Sequence, residues 1–302
     1  MKHSRTPLRY AGGKSKAYGF ISTYIPFWPK PKRIISPFIG GGSLEVRWAN
    51  ELDIEVIGYD VFDMLVNFWE VLLSQPTELS EELSKITPDD KTYKEVKEVL
   101  MSLDKTQDML KDWKTDSYKR YAKISLNNLE RASLYYFNHN TSYGPGYLGW
   151  GSSVYLQADK WKQMCKNINN FKCGNLSVKQ GDYRVTIPHH KKDLLYLDPP
   201  YYLEKDKDNK MFKGIYPMRN IPVHHDSFDH EKLRDLLYNH EGSFVLSYNN
   251  CETIRDWYKD FHQVFPKWNY SMGTGETRIG KNRKTMGIGN QKDSHEILII
   301  KE

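Results

Sequence analysis

The sequence predicts an α/β protein built on a mainly parallel sheet. Short apolar runs of strand length recur along the chain, and several end on a glycine turn or a single acid. Stretches with helical spacing separate them, which is the alternation expected of parallel strands joined by crossovers.

Arg33-Ile34-Ile35 opens the first strand, and Phe38-Ile39-Gly40-Gly41-Gly42-Ser43 is its turn. Leu44 to Asn50 reads as a short helix, and Glu55 to Asp60 as the next strand, ending on an acid. From about Met64 to Leu134 the chain is charged and helix-periodic. Leu65, Phe68, Trp69 and Leu72, then Tyr93, Val96, Val99 and Leu100, mark apolar faces, with breaks near Pro76 and Pro88-Asp89-Asp90. This stretch is expected to be a mostly helical insertion. Asn138 to Gly151 is turn-rich, aromatic and polar, and too long for a plain connector. Strand signals resume at Leu176-Ser177-Val178 before Gly181-Asp182, and at Leu194-Leu195-Tyr196-Leu197 before Asp198. Ser243 to Tyr248 and Glu296 to Ile300 complete the set.

With 302 residues the chain can bury a substantial core in one large domain or two smaller ones. Its formal net charge is +6, and Tyr and Trp are plentiful, a balance that suits a nucleic-acid partner as well as it suits an ordinary basic protein. Cys165, Cys173 and Cys251 match neither a zinc spacing nor an even disulfide set. No apolar stretch is long enough to span a bilayer, and Met1-Lys2-His3-Ser4-Arg5 lacks the apolar segment of a signal peptide. A soluble intracellular protein is expected.

The most informative motif is Asp198-Pro199-Pro200-Tyr201. It follows a buried strand with a Pro-stiffened turn, and so presents a carboxylate, rigid carbonyls and an aromatic face at a sheet edge. Taken alone it reads as simply as a Pro-Pro turn with Asp198 as a cap. It is also what the exocyclic amine of a flat heterocycle needs. Such a nitrogen is a poor nucleophile because its lone pair is delocalised into the ring. Acceptors at Asp198 and the Pro199 carbonyl, one for each N–H, bias it toward tetrahedral geometry, and Tyr201 is placed to stack on the base. Gly40-Gly41-Gly42 lets a ligand approach the backbone at the carboxyl ends of the strands. Asp60 follows about 20 residues on, where an acid grips ribose hydroxyls. No Gly-Lys-Ser/Thr follows, so a nucleoside is favoured over a nucleotide. Near the start, Tyr10 and Lys14 flank Gly12-Gly13, an aromatic wall and a cation for a carboxylate, or else a flexible basic tail.

Together these pieces resemble the Dam-type (alpha-group) DNA adenine-N6 methyltransferases. The family order is Ala-Gly-Gly-Lys, Phe-x-Gly-x-Gly, a target-recognition insertion, then Asp-Pro-Pro-Tyr. Here it is Ala11 to Lys14, Phe38 to Gly42, the insertion, and Asp198 to Tyr201. The likeness extends to Leu65 to Trp69, Gly181-Asp182-Tyr183, and Leu246 to Asn250 with Ile254, Trp257 and Tyr258. The resemblance implies a Rossmann-like class I methyltransferase sheet, with S-adenosyl-L-methionine as methyl donor and double-stranded DNA as substrate. It implies a catalytic domain of residues 1–63 and 152–302 and a recognition insertion of residues 64–151. Tyr10, Lys14, Phe38, Gly40 and Gly42 should touch the donor, Asp60 its ribose and Asp182 its adenine. Asp198 should serve both the donor's amino group and a target adenine flipped out of the duplex. A cognate restriction endonuclease acting on the same site is left open. The chain departs from the family at Ser36, where Glu is common, and at Phe62, where Asn is common. Members that read GATC carry Asn-Gly followed by Arg; the segment from Tyr143 to Trp150 has no Arg, so another recognition sequence is expected.

Two loops are expected at DNA. In one, Asn138, His139 and Asn140 reach base edges while Tyr143 or Trp150 fills the gap left by the flipped base. In the other, between Gly273 and Lys284, Arg278, Lys281, Arg283 and Lys284 meet phosphates, unless it is a solvated hairpin. His224, His225, Asp226, Asp229 and His230 read as a solvated helix start, with Asp229 at the N-terminus of a helix from Glu231 to Leu237, and no metal site is expected. Cys165 reads as core. Cytosine N4 and adenine in RNA also present an exocyclic amine. A non-catalytic DNA-binding module on the same fold is the alternative of another class.

Overall fold

A computed structural model describes residues 5–10, 12–26, 29–103, 125–144, 146–202, 228–266 and 296–302. Among them seven strands form one sheet: β1 (Arg33–Ser36), β2 (Glu55–Asp60), β3 (Leu176–Gln180), β4 (Leu194–Leu197), β5 (Phe244–Asn249), β6 (His262–Val264) and β7 (Glu296–Lys301). Their order is β3-β2-β1-β4-β5-β7-β6. β3, β2, β1, β4 and β5 pair parallel, whereas β7 runs antiparallel between β5 and β6. The mixed α/β class expected from the sequence is the one observed. β6 was not anticipated: at three residues, all at least partly exposed, it has too little apolar alternation to register.

Side chains alternate between two cores. Ile34, Val56, Leu194, Tyr196, Val245, Leu298 and Ile300 face one; Ile35, Ile57, Leu195, Leu197, Phe244, Leu246, Ile297 and Ile299 face the other. Because both faces are covered, the central strands read as unbroken apolar runs. The second face is covered by helices Tyr183–His189, His230–Tyr238 and Glu252–Trp257. Asp229 caps the middle one by accepting from the Lys232 amide at 2.9 Å, and Cys165 is core.

Helix Asp63–Ser74 belongs to the first face. It is buried at eight positions because it lies between β2 and β3 on one side and helix Asn128–Asn140 on the other. Helices Pro76–Ser84, Asp90–Leu103 and Ala158–Asn169 extend the same apolar cluster. Among the described residues, helices therefore fill the stretch expected to be helical after Met64, and the first of them packs directly on β2 and β3. Pro76 starts its helix at the position where a missing N–H costs nothing. Asn127 and Glu130 form a reciprocal capping box at the start of Asn128–Asn140. No helix among the described residues is long and apolar enough to cross a membrane.

Chain direction across the sheet reverses between β1 and β4. β1, β2 and β3 progress one way, and β4 and β5 the other. In open sheets of this kind, ligands occupy the crevice outside the carboxyl ends of the strands at that reversal. The glycine turn follows β1 and Asp198 follows β4, so two motifs 160 residues apart in sequence end on neighbouring strands.

Candidate active site

The carboxyl edge of the sheet carries a row of polar groups. Asp182 follows β3, Asp60 ends β2, the glycine turn follows β1, Asp198 follows β4, and Asn249 ends β5. Glu296 opens antiparallel β7 directly opposite Asn249, which brings it to the same edge.

The turn after β1 needs its glycines. Gly40 has φ +46° and Gly42 φ +60°, both in the left-handed region that side chains disfavour. Asp60 staples the turn: its carboxylate accepts from the Gly40 amide at 3.2 Å and the Phe62 amide at 3.0 Å. The N-terminal arm lies across it. Thr6 Oγ1 donates to the Gly41 carbonyl at 2.5 Å, and Lys14 N donates to Ser43 Oγ at 2.9 Å. Tyr10 packs against the turn and stacks on His139, centroids 5.5 Å apart, while keeping 38% of its surface exposed.

Lys14 reaches from this arm to the turn after β4. Its ammonium lies 2.9 Å from Asp198 Oδ2, 3.0 Å from Asp198 Oδ1, 2.9 Å from the Tyr201 hydroxyl and 3.1 Å from Glu296 Oε1. Tyr201 in turn donates its hydroxyl proton to Glu296. Lys14 and Glu296 are buried, at 2% and 6% side-chain exposure, whereas Asp198 keeps 22% and faces the crevice. Burial pushes the Asp198 carboxyl up to about 6; Lys14 opposes the rise and Glu296 adds to it. The side chain of Asn249 clasps the next residue, accepting from Tyr202 N and donating to Tyr202 O, each at 2.9 Å. Pro199 and Pro200 stiffen the turn between these anchors.

Glu45 is a further buried acid near Asp198. It accepts from Ser36 Oγ at 2.8 Å and from the Leu44 amide at 3.2 Å, and burial pushes it to about 7. Ser36, a departure from the expected family pattern, is thus the hydrogen-bond partner of a carboxyl supplied by the next helix. At the other end of the row, Asp182 caps helix Tyr183–His189 and is held below the usual carboxylate range by its hydrogen bond to Arg184. Phe38 packs on Tyr183 and Phe228, at 5.5 and 5.6 Å between centroids.

A family model described as D12 class N6 adenine-specific DNA methyltransferase matches residues 10–272. The chain belongs to that family. Curated proteins gave no match. The methyltransferase therefore transfers a methyl group to N6 of adenine in DNA, and the cytosine and RNA alternatives fall away with the non-catalytic one.

The residues expected at DNA fare unevenly. Asn138, His139 and Asn140 are not at the surface. They end helix Asn128–Asn140 and are buried, with exposures of 0%, 4% and 0%. Asn140 accepts from Arg9 N at 3.0 Å and donates to Pro7 O at 2.9 Å; His139 Nε2 lies 2.9 Å from Arg9 O; Asn138 accepts from Leu148 N at 2.7 Å. Asn138 Oδ1 thus serves Leu148, while His139 Nε2 and the Asn140 side chain serve the N-terminal arm, which commits these atoms inside the protein. Burial moves the His139 ring down to about 4, which keeps it neutral beside Tyr10.

Tyr143 and Trp150 do project. Their backbones are joined by Tyr143 N donating to Trp150 O at 2.6 Å, and they are 60% and 81% exposed. Lys97 steadies the loop between them, donating to Gly149 O at 3.0 Å with its ammonium 5.6 Å from the Trp150 ring centroid. Arg278, Lys281, Arg283 and Lys284 lie outside the described residues, as do His224, His225 and Asp226. Sequence reasoning missed Glu296, Glu45 and Arg9. Glu296 heads an apolar strand and carries no local signal of the ammonium it meets.

Proposed function

We propose that the methyl donor is S-adenosyl-L-methionine, held in the crevice between the glycine turn and Asp198, and that Asp198 to Tyr201 receive an adenine flipped from double-stranded DNA. The observation that carries this reading is the meeting of the N-terminal arm, the glycine turn and Asp198 at the reversal of strand order. The residues fit such a donor. The carboxylates of Asp60, Asp182, Asp198 and Glu296 line one sheet edge, with Lys14 among them, and that edge suits a molecule with a cationic sulfur and an ammonium. Tyr10, Phe38, Gly40 and Gly42 form the wall, Asp60 takes the ribose and Asp182 the adenine of the donor.

When bound, the donor supplies a methyl group whose bond to sulfur breaks as its bond to N6 forms, leaving a neutral thioether and an N6 proton released to solvent. Asp198 and the Pro199 carbonyl accept the two N–H groups of N6. These hydrogen bonds strengthen as positive charge builds on nitrogen, so they stabilise the transition state more than the ground state. Tyr201 stacks on the extrahelical base. The exposed pair Tyr143 and Trp150 enters the duplex where that base has left, and Arg278, Lys281, Arg283 and Lys284 neutralise phosphates. A restriction endonuclease cutting the same sequence fits this activity as a partner.

Asp198→Ala tests the reading. Methyl transfer should fall by several orders of magnitude in single-turnover assays while duplex binding is retained. Near-normal turnover would refute it. Expression in methylation-free cells followed by long-read mapping of modified bases gives the recognition sequence, and with it the sequence at which a companion endonuclease would have to cut.

A further inference from the structure

We infer that Glu296 is a positioning residue for methyl transfer: through Lys14 and Tyr201 it fixes where the Asp198 carboxylate points and how much of the ammonium charge that carboxylate receives. The inference rests on Asp198 being the group that accepts from N6. Glu296 lies beyond the matched span of residues 10–272, and it touches the reacting groups only through neighbours.

The geometry is that of a shared cation. An ammonium has three protons to give. Those of Lys14 are divided among both oxygens of Asp198, the Tyr201 hydroxyl, Glu296 Oε1 and the Gly12 carbonyl at 3.1 Å. Glu296 holds this ammonium from the protein side and Asp198 from the crevice side, as their exposures of 6% and 22% show. The Tyr201 hydroxyl accepts from Lys14 and gives its proton to Glu296, so its ring is tethered at the far end while Pro199 and Pro200 hold the near end. β7 registers Glu296 against Asn249, whose side chain clasps Tyr202. The β5–β7 pair therefore grips the turn after β4 at two successive residues.

Among the described residues, the titratable groups facing Asp198 come from four elements: Lys14 on the arm, Glu45 on the helix after the glycine turn, Tyr196 and Tyr201 on β4 and its turn, and Glu296 on β7. Among them Glu296 both competes for Lys14 and repels the Asp198 carboxylate. Replacing it with a neutral residue leaves the ammonium to Asp198 and removes the repulsion. Both effects favour the ionised form of Asp198, so its titration moves to lower pH. Overpairing with Lys14 also draws the carboxylate away from N6.

The test compares the parent enzyme with Glu296→Gln, Glu296→Asp and Asp198→Asn. Single-turnover methylation is followed alongside the pH profile of kcat/KM for the donor, which reports ionisation of the donor-free enzyme. The parent should lose activity as pH falls through about 6. Glu296→Gln should be slower by roughly tenfold or more, with its acidic limb displaced downward by about one pH unit. Glu296→Asp keeps the charge but withdraws it from Lys14 and Asp198, so its limb should move downward by less than that of Glu296→Gln while its rate falls. A merely structural role lowers activity without moving the limb, and that result, or an unchanged rate, overturns the inference. If thermal melting shows Glu296→Gln unfolded, Glu296→Asp decides: a slower rate with the limb displaced downward supports the inference, and a parental rate or an unmoved limb rejects it. Should Asp198→Asn retain turnover, the assignment of Asp198 fails and this inference with it. If Asp198→Asn is inactive and Glu296→Gln behaves as the parent, the role of Glu296 alone is lost.

Discussion

Placing a single methyl group on Gly41 should disable donor binding. An added Cβ there meets Tyr10 Cβ at 2.3 Å and Tyr10 Cγ at 2.7 Å. Carbon atoms rest about 3.5 Å apart or more, so the overlap is about 1.2 Å. The atom struck is next to the Tyr10 backbone, and rotation of the ring cannot relieve it. The arm must retreat, against the Thr6 bond to the Gly41 carbonyl and the stacking of Tyr10 on His139. A misplacement of about 1 Å in a positioning element costs on the order of 100-fold, and the loss should fall on donor affinity if Tyr10 belongs to the donor wall as proposed. The assay is titration calorimetry with S-adenosyl-L-methionine on Gly41→Ala, with Gly19→Ala as a control, since a Cβ at Gly19 meets nothing within 4 Å. Gly41→Ala that folds and binds the donor with parental affinity would refute the reasoning.

Other outcomes follow from the same contacts. Glu45 retains its proton up to about pH 7 in the folded state and only to about 4.5 when unfolded, so between these values the native protein binds more protons and loses stability as pH rises. From pH 6 to pH 8 this group should remove about 1.4 kcal/mol, a loss that Glu45→Gln should escape in urea unfolding at the two pH values. Tyr143→Ala with Trp150→Ala should leave donor binding intact and slow methylation of duplex DNA more than of a substrate whose target adenine is already unpaired; equal losses on both would exclude a role in the flipped-base gap. Asn140→Ala strands the Arg9 amide and weakens the hold on Pro7, and should cost about 2–3 kcal/mol in denaturant unfolding.

Much of the fold was legible because the central strands are buried on both faces, which makes them short continuous apolar runs such as Leu194 to Leu197. The order of motifs along the chain also gave away the crevice, since glycine turns and acids must sit at strand ends to meet a ligand. What stayed hidden depends on contacts between distant residues. Asn138, His139 and Asn140 looked like surface polar residues, in part because the partners of His139 and Asn140, Pro7 and Arg9, lie some 130 positions earlier. Helix Asp63–Ser74 has a charged start, yet the sheet and helix Asn128–Asn140 bury it from two sides, a packing that depends on the same kind of distant contact. Glu296 was read as the mere start of a strand, because only the antiparallel register against Asn249 reveals which edge it occupies.

Strand β7 enters the sheet between two strands that precede it in the chain, and it brings Glu296 with it. Insertion into such a gap joins residues near opposite ends of the molecule, and contacts of that kind form late and slowly. A refolding molecule can therefore regain most of its helical content and its parallel strands before Lys14 meets Glu296. Recovery of methylating activity after dilution from denaturant should then lag behind recovery of the far-ultraviolet signal.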